Sequence, residues 1–162
     1  MIDTRKVTGR RKPRFENFDE AIRDAEALAA AEQASTLRAL GNWTLGQAIG
    51  HVAYWADAPF DGYPTTAKLP WILGVVLPWF KNYFLNNKLP AGGKIPDAPE
   101  GTFGVEKLST DEALERLRRA FARMKAQQPT LPNPVFGVMK HEEWIKLNLR
   151  HAELHLSFFV PE

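Results

Sequence analysis

The spacing of apolar residues along the chain predicts four long helices. Apolar side chains recur every three or four positions, which is typical of a helix with one buried face. Capping patterns mark three starts: Asn17 before Glu20, Thr44, and Ser109 before Glu112. The predicted ranges are 18 to about 33, 45 to about 57, 110 to about 125 and 141 to about 158, with prolines 59 and 161 ending the second and fourth. Four helices with polar outer faces predict an all-α fold, a four-helix bundle.

The connection between the second and third predicted helices, residues 60–108, is too long for a simple loop. It contains an aromatic, apolar stretch at 69–85, predicted as a short helix that covers the bundle or forms a homodimer contact. The alternative is an interfacial membrane contact through Trp71, Trp79 and Phe80. Its most apolar part, residues 69–80, is well short of the roughly 20 residues of a membrane-spanning helix.

Composition indicates one soluble globular domain: 162 residues, 44% hydrophobic and 25% charged. The net charge of +2 hides an uneven distribution. Residues 1–14 carry six basic side chains against one acidic, so the remainder holds 15 basic and 18 acidic residues. We therefore expect a flexible, solvated basic arm at 1–14 and a single domain at 15–162. Because that domain is mildly acidic, no nucleic acid is expected as a partner.

Two absences narrow the chemistry. The chain has no Cys, which excludes thiolate metal sites and cysteine nucleophiles. The basic N-terminal segment is not followed by the apolar run of a secretory signal, so the expected location is the cytoplasm.

Two of the four histidines, His151 and His155, lie one turn apart on the fourth predicted helix. Residues four apart share a helix face, so both imidazoles can reach one metal ion. Position 152 is Ala, where the zinc-protease motif has its Glu, so a peptidase is not expected. The alternative is two core histidines bonded to carbonyl groups or water.

His51 lies on the second predicted helix beside Gln47 and Tyr54, which could orient a substrate or simply pack. If the second and fourth helices face each other, His51, His151 and His155 converge as metal ligands. Three neutral imidazoles suit Zn, Ni, Fe or Cu, of which we favour the first three, and they leave positions for water or substrate. Metal should be lost as the pH falls well below about 6.5, the ordinary His pKa. His141 is expected at the surface.

Several segments resemble a known superfamily. The stretch from Trp43 to His51 resembles the Trp-Ser/Thr-x-x-Gln-x-x-x-His pattern of the DinB-like (DinB/YfiT) superfamily. Residues 133–137, 143–144 and 151–156 resemble one uncharacterised branch, a domain of unknown function, from which Asn133 and Leu154 depart by replacing frequent His residues. The resemblance covers about residues 15–159 and implies a four-helix bundle with one metal held by His51, His151 and His155.

Characterised members of that superfamily include thiol-dependent transferases and a maleylpyruvate isomerase. The resemblance therefore implies a metal-dependent transferase or hydrolase that acts on a small molecule with a small thiol cosubstrate or water. It assigns neither the substrate nor catalytic residues. The alternatives are a non-catalytic bundle stabilised by its metal, a dimerisation module, or a peripheral membrane protein.

Overall fold

The computed structural model describes residues 2–64, 77–95, 98 and 101–162, and in this part the chain is mostly helical. The predicted all-α class is confirmed. The elements are a 3-10 helix (Thr4–Lys6), α1 (Phe18–Gln33), β1 (Leu37–Ala39), α2 (Leu45–Asp61), a second 3-10 helix (Leu77–Phe80), α3 (Lys81–Asn86), α4 (Thr110–Ala126), α5 (His141–Leu156) and β2 (Phe159–Pro161).

Side-chain caps begin the helices at the predicted residues. Asn17 accepts a hydrogen bond from the Glu20 amide at the start of α1. Ser109 and Glu112 form a reciprocal capping box at the start of α4. Each cap satisfies backbone amides that have no partner within the helix, so polar residues at these positions determine where the helix begins.

Two predicted helix ends are wrong. The second helix continues through Pro59 to Asp61, because the φ of proline suits a helix and, in the last turn, the lost amide bond and the crowding of the carbonyl four residues earlier affect little of the helix. The Gly62 amide still closes the turn on the Ala58 carbonyl at 2.9 Å. The fourth helix ends at Leu156, because Phe159–Pro161 pairs antiparallel with β1. The sequence did not predict this two-stranded sheet.

The four long helices share one hydrophobic core in which α2 packs against α4 and α5. Phe18 of α1 stacks on Phe121 of α4, with ring centroids 4.2 Å apart. Gly46 lets the first turn of α2 lie against the backbone before α4, since a Cβ there would lie 2.4 Å from the Leu108 carbonyl oxygen. This packing places the predicted histidines of α2 and α5 at one interface.

The basic arm at residues 1–14 was expected to be flexible and solvated. At Arg10 and Arg11 this expectation is wrong, because both side chains are bonded to the helical domain. Arg10 donates to the Leu154 carbonyl and to Ser157 Oγ, and its guanidinium lies 3.9 Å from the centre of the Phe158 ring. Arg11 forms a two-bond ion pair with Asp24 and donates to the Leu156 and Phe159 carbonyls. Cations are favoured at the carbonyl end of a helix, and α5 ends here.

Part of the aromatic crossover is helical, as predicted: the second 3-10 helix leads directly into α3. It packs against α5 through an ion pair between Lys81 and Glu143 at 2.8 Å, and Leu85 is buried. Trp79 and Phe80 are exposed, whereas Trp71 and the rest of 65–76 lie outside the described residues. Within the described ranges, no helix has the length and apolar character needed to cross a membrane.

Candidate metal centre

The three predicted histidines converge between α2 and α5. One nitrogen of each ring can be chosen so that all three lie within 4.8 Å of one another. The Nε2 atoms of His151 and His155 are 3.0 Å apart. His51 is buried, and the other two rings are partly buried. We call these three residues the histidine triad.

A backbone carbonyl orients His51. Its Nδ1 lies 2.9 Å from the carbonyl oxygen of Phe103. A carbonyl oxygen can only accept a hydrogen bond, so Nδ1 carries the proton and Nε2 keeps its lone pair. Histidine ligands of metals are commonly held by such a bond from the second ring nitrogen.

The turn that supplies this carbonyl is held by Tyr54. Gly104, which follows Phe103, has φ of +75°, and a Cβ there would lie 2.4 Å from Tyr54 Cγ. A glycine is therefore needed both for the backbone conformation and for the close approach of the ring. Gln47 and Tyr54 were expected either to orient a substrate or to pack. Tyr54 packs on this turn. Gln47 completes a capping box with Thr44 at the start of α2.

Trp43 forms an aromatic wall over two members of the triad. Its ring stacks on His155 with centroids 5.2 Å apart and an interplanar angle of 16°. The same ring is tilted against His51 at 4.8 Å. These contacts restrict both imidazoles and shield them from water on that side.

Burial keeps the triad uncharged. It lowers the pKa of His51 to about 4, against a smaller opposing effect of the Phe103 carbonyl. Burial, and then the neighbouring rings of the triad, hold the pKa values of His151 and His155 well below the ordinary value of 6.5. Neutral imidazoles with free lone pairs are the form that binds metal ions.

The other titratable candidates lie elsewhere. His141 is partly buried rather than at the surface, and its Nε2 lies 2.6 Å from the Met124 carbonyl oxygen. Glu153 points away from the triad, as its helical position predicts. Its carboxylate accepts from the Phe15 amide and pairs with Arg150 in a buried ion pair.

A cavity of about 260 Å³ adjoins the triad at His151. Aromatic and aliphatic side chains form most of its wall. Its described lining consists of Trp55, Tyr63, Pro64, Leu89, Ile95, Asn133, Pro134, Val135, Phe136, Trp144, Leu147, Asn148 and His151.

Sequence reasoning missed three parts of this centre. The Phe103 carbonyl is a backbone group and leaves no residue-type signal. Trp43 begins the stretch that resembles the DinB-like superfamily, but its contacts with the histidines were not predicted. The capping box of Thr44 and Gln47 was readable from its Thr-x-x-Gln spacing.

Comparison with known proteins identifies the family and nothing narrower. No curated protein and no solved structure matches the chain. One family model does match, over residues 7–162, and its description is "Protein of unknown function (DUF1569)". The match includes Arg10 and Arg11 of the docked arm as well as all three triad histidines. The chain belongs to this family, DUF1569.

Proposed function

We propose that His51, His151 and His155 hold one divalent metal ion in a DinB-like four-helix bundle, and that this centre serves a small-molecule transferase or hydrolase. The observation that carries the proposal is the convergence of three imidazole nitrogens within 4.8 Å. Zn, Ni or Fe suits such a donor set.

The chemistry of the triad fits a metal. All three rings are neutral by virtue of burial, and His51 presents its Nε2 because Phe103 holds Nδ1. Among the described residues, no carboxylate belongs to the group. Catalytic zinc sites combine three protein ligands with an open position, whereas structural sites usually have four protein ligands.

A metal ion bound at such a site lowers the pKa of a coordinated water or thiol and so supplies a nucleophile near neutral pH. The chain itself has no cysteine, so a thiol cosubstrate would come from solution. Trp43 excludes water from one side of the triad, and the cavity beside His151 admits a substrate from another. This arrangement favours attack on a small electrophile.

One observation favours a second candidate, a non-catalytic core. An Nε2–Nε2 distance of 3.0 Å also suits a direct hydrogen bond in which one imidazole donates to the other. In that case His151 and His155 are a satisfied polar pair within α5, on the face that packs against α2. Metal analysis separates the two candidates.

The test is elemental analysis of untagged protein after metal loading and removal of excess ion. We expect about one equivalent of metal in the wild type and in the control His141→Gln, which removes the histidine outside the triad. His51→Gln should lose it. Absence of bound metal from the wild type, or equal metal in both variants, refutes the metal centre.

Catalysis needs its own assay. Metal-loaded wild type should convert a small electrophile with a thiol or with water, and His51→Gln should not. His141→Gln again serves as the control. A metal-loaded wild type without turnover under either condition refutes the enzymatic part of the proposal.

A further inference from the structure

The cavity beside the triad runs along one face of α5. Trp144, Leu147, Asn148 and His151 all line it, at relative positions 0, 3, 4 and 7. Residues at this spacing share a helix face and span about 10 Å along the axis. His151 closes the row and is also a member of the triad. The cavity therefore leads along α5 to the candidate metal centre.

The wall of the cavity carries no charged side chain among the described residues. It combines aromatic and aliphatic side chains with two asparagines and one histidine. A charged ligand would lose its hydration here without gaining an oppositely charged side chain, so its binding is disfavoured. An apolar ligand gains by leaving water.

The size of the cavity sets the scale of the ligand. An apolar cavity of about 150 Å³ is enough to bind benzene. The cavity here, at about 260 Å³, has room for one aromatic ring and a short substituent.

One polar group in the wall lacks a partner. The hydroxyl of Tyr63 is buried and makes no hydrogen bond within the described part of the chain. Burial raises the pKa of Tyr63, so the hydroxyl stays protonated and can donate. A buried hydroxyl without a partner is destabilising, and an acceptor atom of a bound ligand would satisfy it.

From these observations we infer that the cavity binds an uncharged, ring-sized apolar portion of the substrate and directs its polar end along α5 toward His151. Tyr63 donates a hydrogen bond to the bound molecule. The inference rests on the proposed function, because the polar end meets the triad. It deepens that proposal by naming the substrate class.

The first experiment uses metal-free wild type and isothermal titration with two probes, benzyl alcohol and benzoate. They share the ring, but only the second is charged. We expect benzyl alcohol to bind at least about tenfold more tightly. Equal affinity, or binding of neither probe, overturns the inference.

Variants then locate the binding. Leu147→Trp fills the cavity and should weaken benzyl alcohol binding at least about tenfold. Val138→Trp adds the same ring at a residue that is 86% exposed and outside the cavity lining, and should leave binding unchanged. Tyr63→Phe preserves shape and should weaken benzyl alcohol about fivefold but leave toluene unaffected. Equal binding by wild type, Leu147→Trp and Tyr63→Phe overturns the inference.

The last comparison tests the link to the triad. Phenylmethanethiol should bind more tightly to metal-loaded than to metal-free wild type, whereas toluene should bind both alike. If the protein binds no metal but benzyl alcohol still binds in the cavity, the metal proposal alone fails. If metal binding depends on His51 and phenylmethanethiol gains nothing from it, the inference fails while the metal centre stands.

Discussion

Acidification should destabilise the metal-free protein through its buried histidines, and His51 allows the size of the effect to be worked out. Burial lowers the pKa of His51 from 6.5 to about 4 in the folded chain. Below pH 6.5 the unfolded chain binds more protons than the folded one, so the free energy of unfolding falls as the pH falls. The loss accumulates between pH 6.5 and about 4.

The magnitude follows from the shift. One pKa unit corresponds to about 1.4 kcal/mol, so lowering the pH from 7 to 5 costs about 2 kcal/mol through His51 alone. By pH 4 the cost reaches about 3 kcal/mol. The lowered pKa values of His151 and His155 act in the same direction. Proton competition with a bound metal should likewise begin at lower pH than the 6.5 expected from an ordinary histidine.

The assay is urea denaturation followed by circular dichroism, on chelator-treated protein at pH 7 and pH 5. His51→Gln removes this titrating group, so its stability relative to wild type should improve by about 2 kcal/mol on going from pH 7 to pH 5. His141→Gln is the control for loss of a histidine outside the triad. Parallel pH dependence of wild type and His51→Gln would show that His51 is not held neutral by the fold.

Two further substitutions test the turn that positions His51 and the buried ion pair of α5. Gly104→Ala should cost about 1–2 kcal/mol for the left-handed backbone and more for the contact with Tyr54, and it should weaken metal binding by moving the Phe103 carbonyl. Thermal denaturation and metal titration measure both effects, and unchanged metal affinity would contradict the positioning role. Arg150→Met should lower the free energy of unfolding at pH 7 by up to about 3–5 kcal/mol, because it removes the buried cation beside Glu153 and leaves that carboxylate with only the half-exposed Arg14 at 3.6 Å. Urea denaturation of this variant beside the double variant with Glu153→Leu checks the cause, since the double variant should recover the part of the loss due to the buried charge but not the part due to the Phe15 amide and carbonyl, which lose their partners.

The helix starts and the ends of α1 and α4 were predictable from the sequence, whereas the ends of α2 and α5 were not. A start depends on local signals, such as Ser109 with Glu112, that lie within four residues of each other. The end of α5 depends instead on pairing between Phe159–Pro161 and a strand more than a hundred residues earlier. Strands of three residues are too short to show an alternating pattern.

The pair of His151 and His155 was visible for a similar reason, since they are four residues apart. Adding His51 required the assumption that the second and fourth helices face each other, together with the resemblance to the DinB-like superfamily. The hydrogen bond from His51 to the Phe103 carbonyl could not be predicted, because any residue type can supply a backbone oxygen. The docking of Arg10 and Arg11 was equally hidden, since most of their partners are backbone carbonyls near the end of α5.

The convergence of His51 with His151 has a consequence for the unfolded chain, because one hundred positions separate them in sequence. A metal ion bound by both would act as a reversible cross-link that closes a loop of this length. A permanent cross-link across about 100 residues removes loop entropy worth about 4.7 kcal/mol from the unfolded ensemble. At a synthesis rate of about 5–20 residues per second, about 5–20 s also pass between the synthesis of His51 and that of His151 and His155. A nascent chain therefore passes through a period in which His51 has been synthesised and no complete site can form.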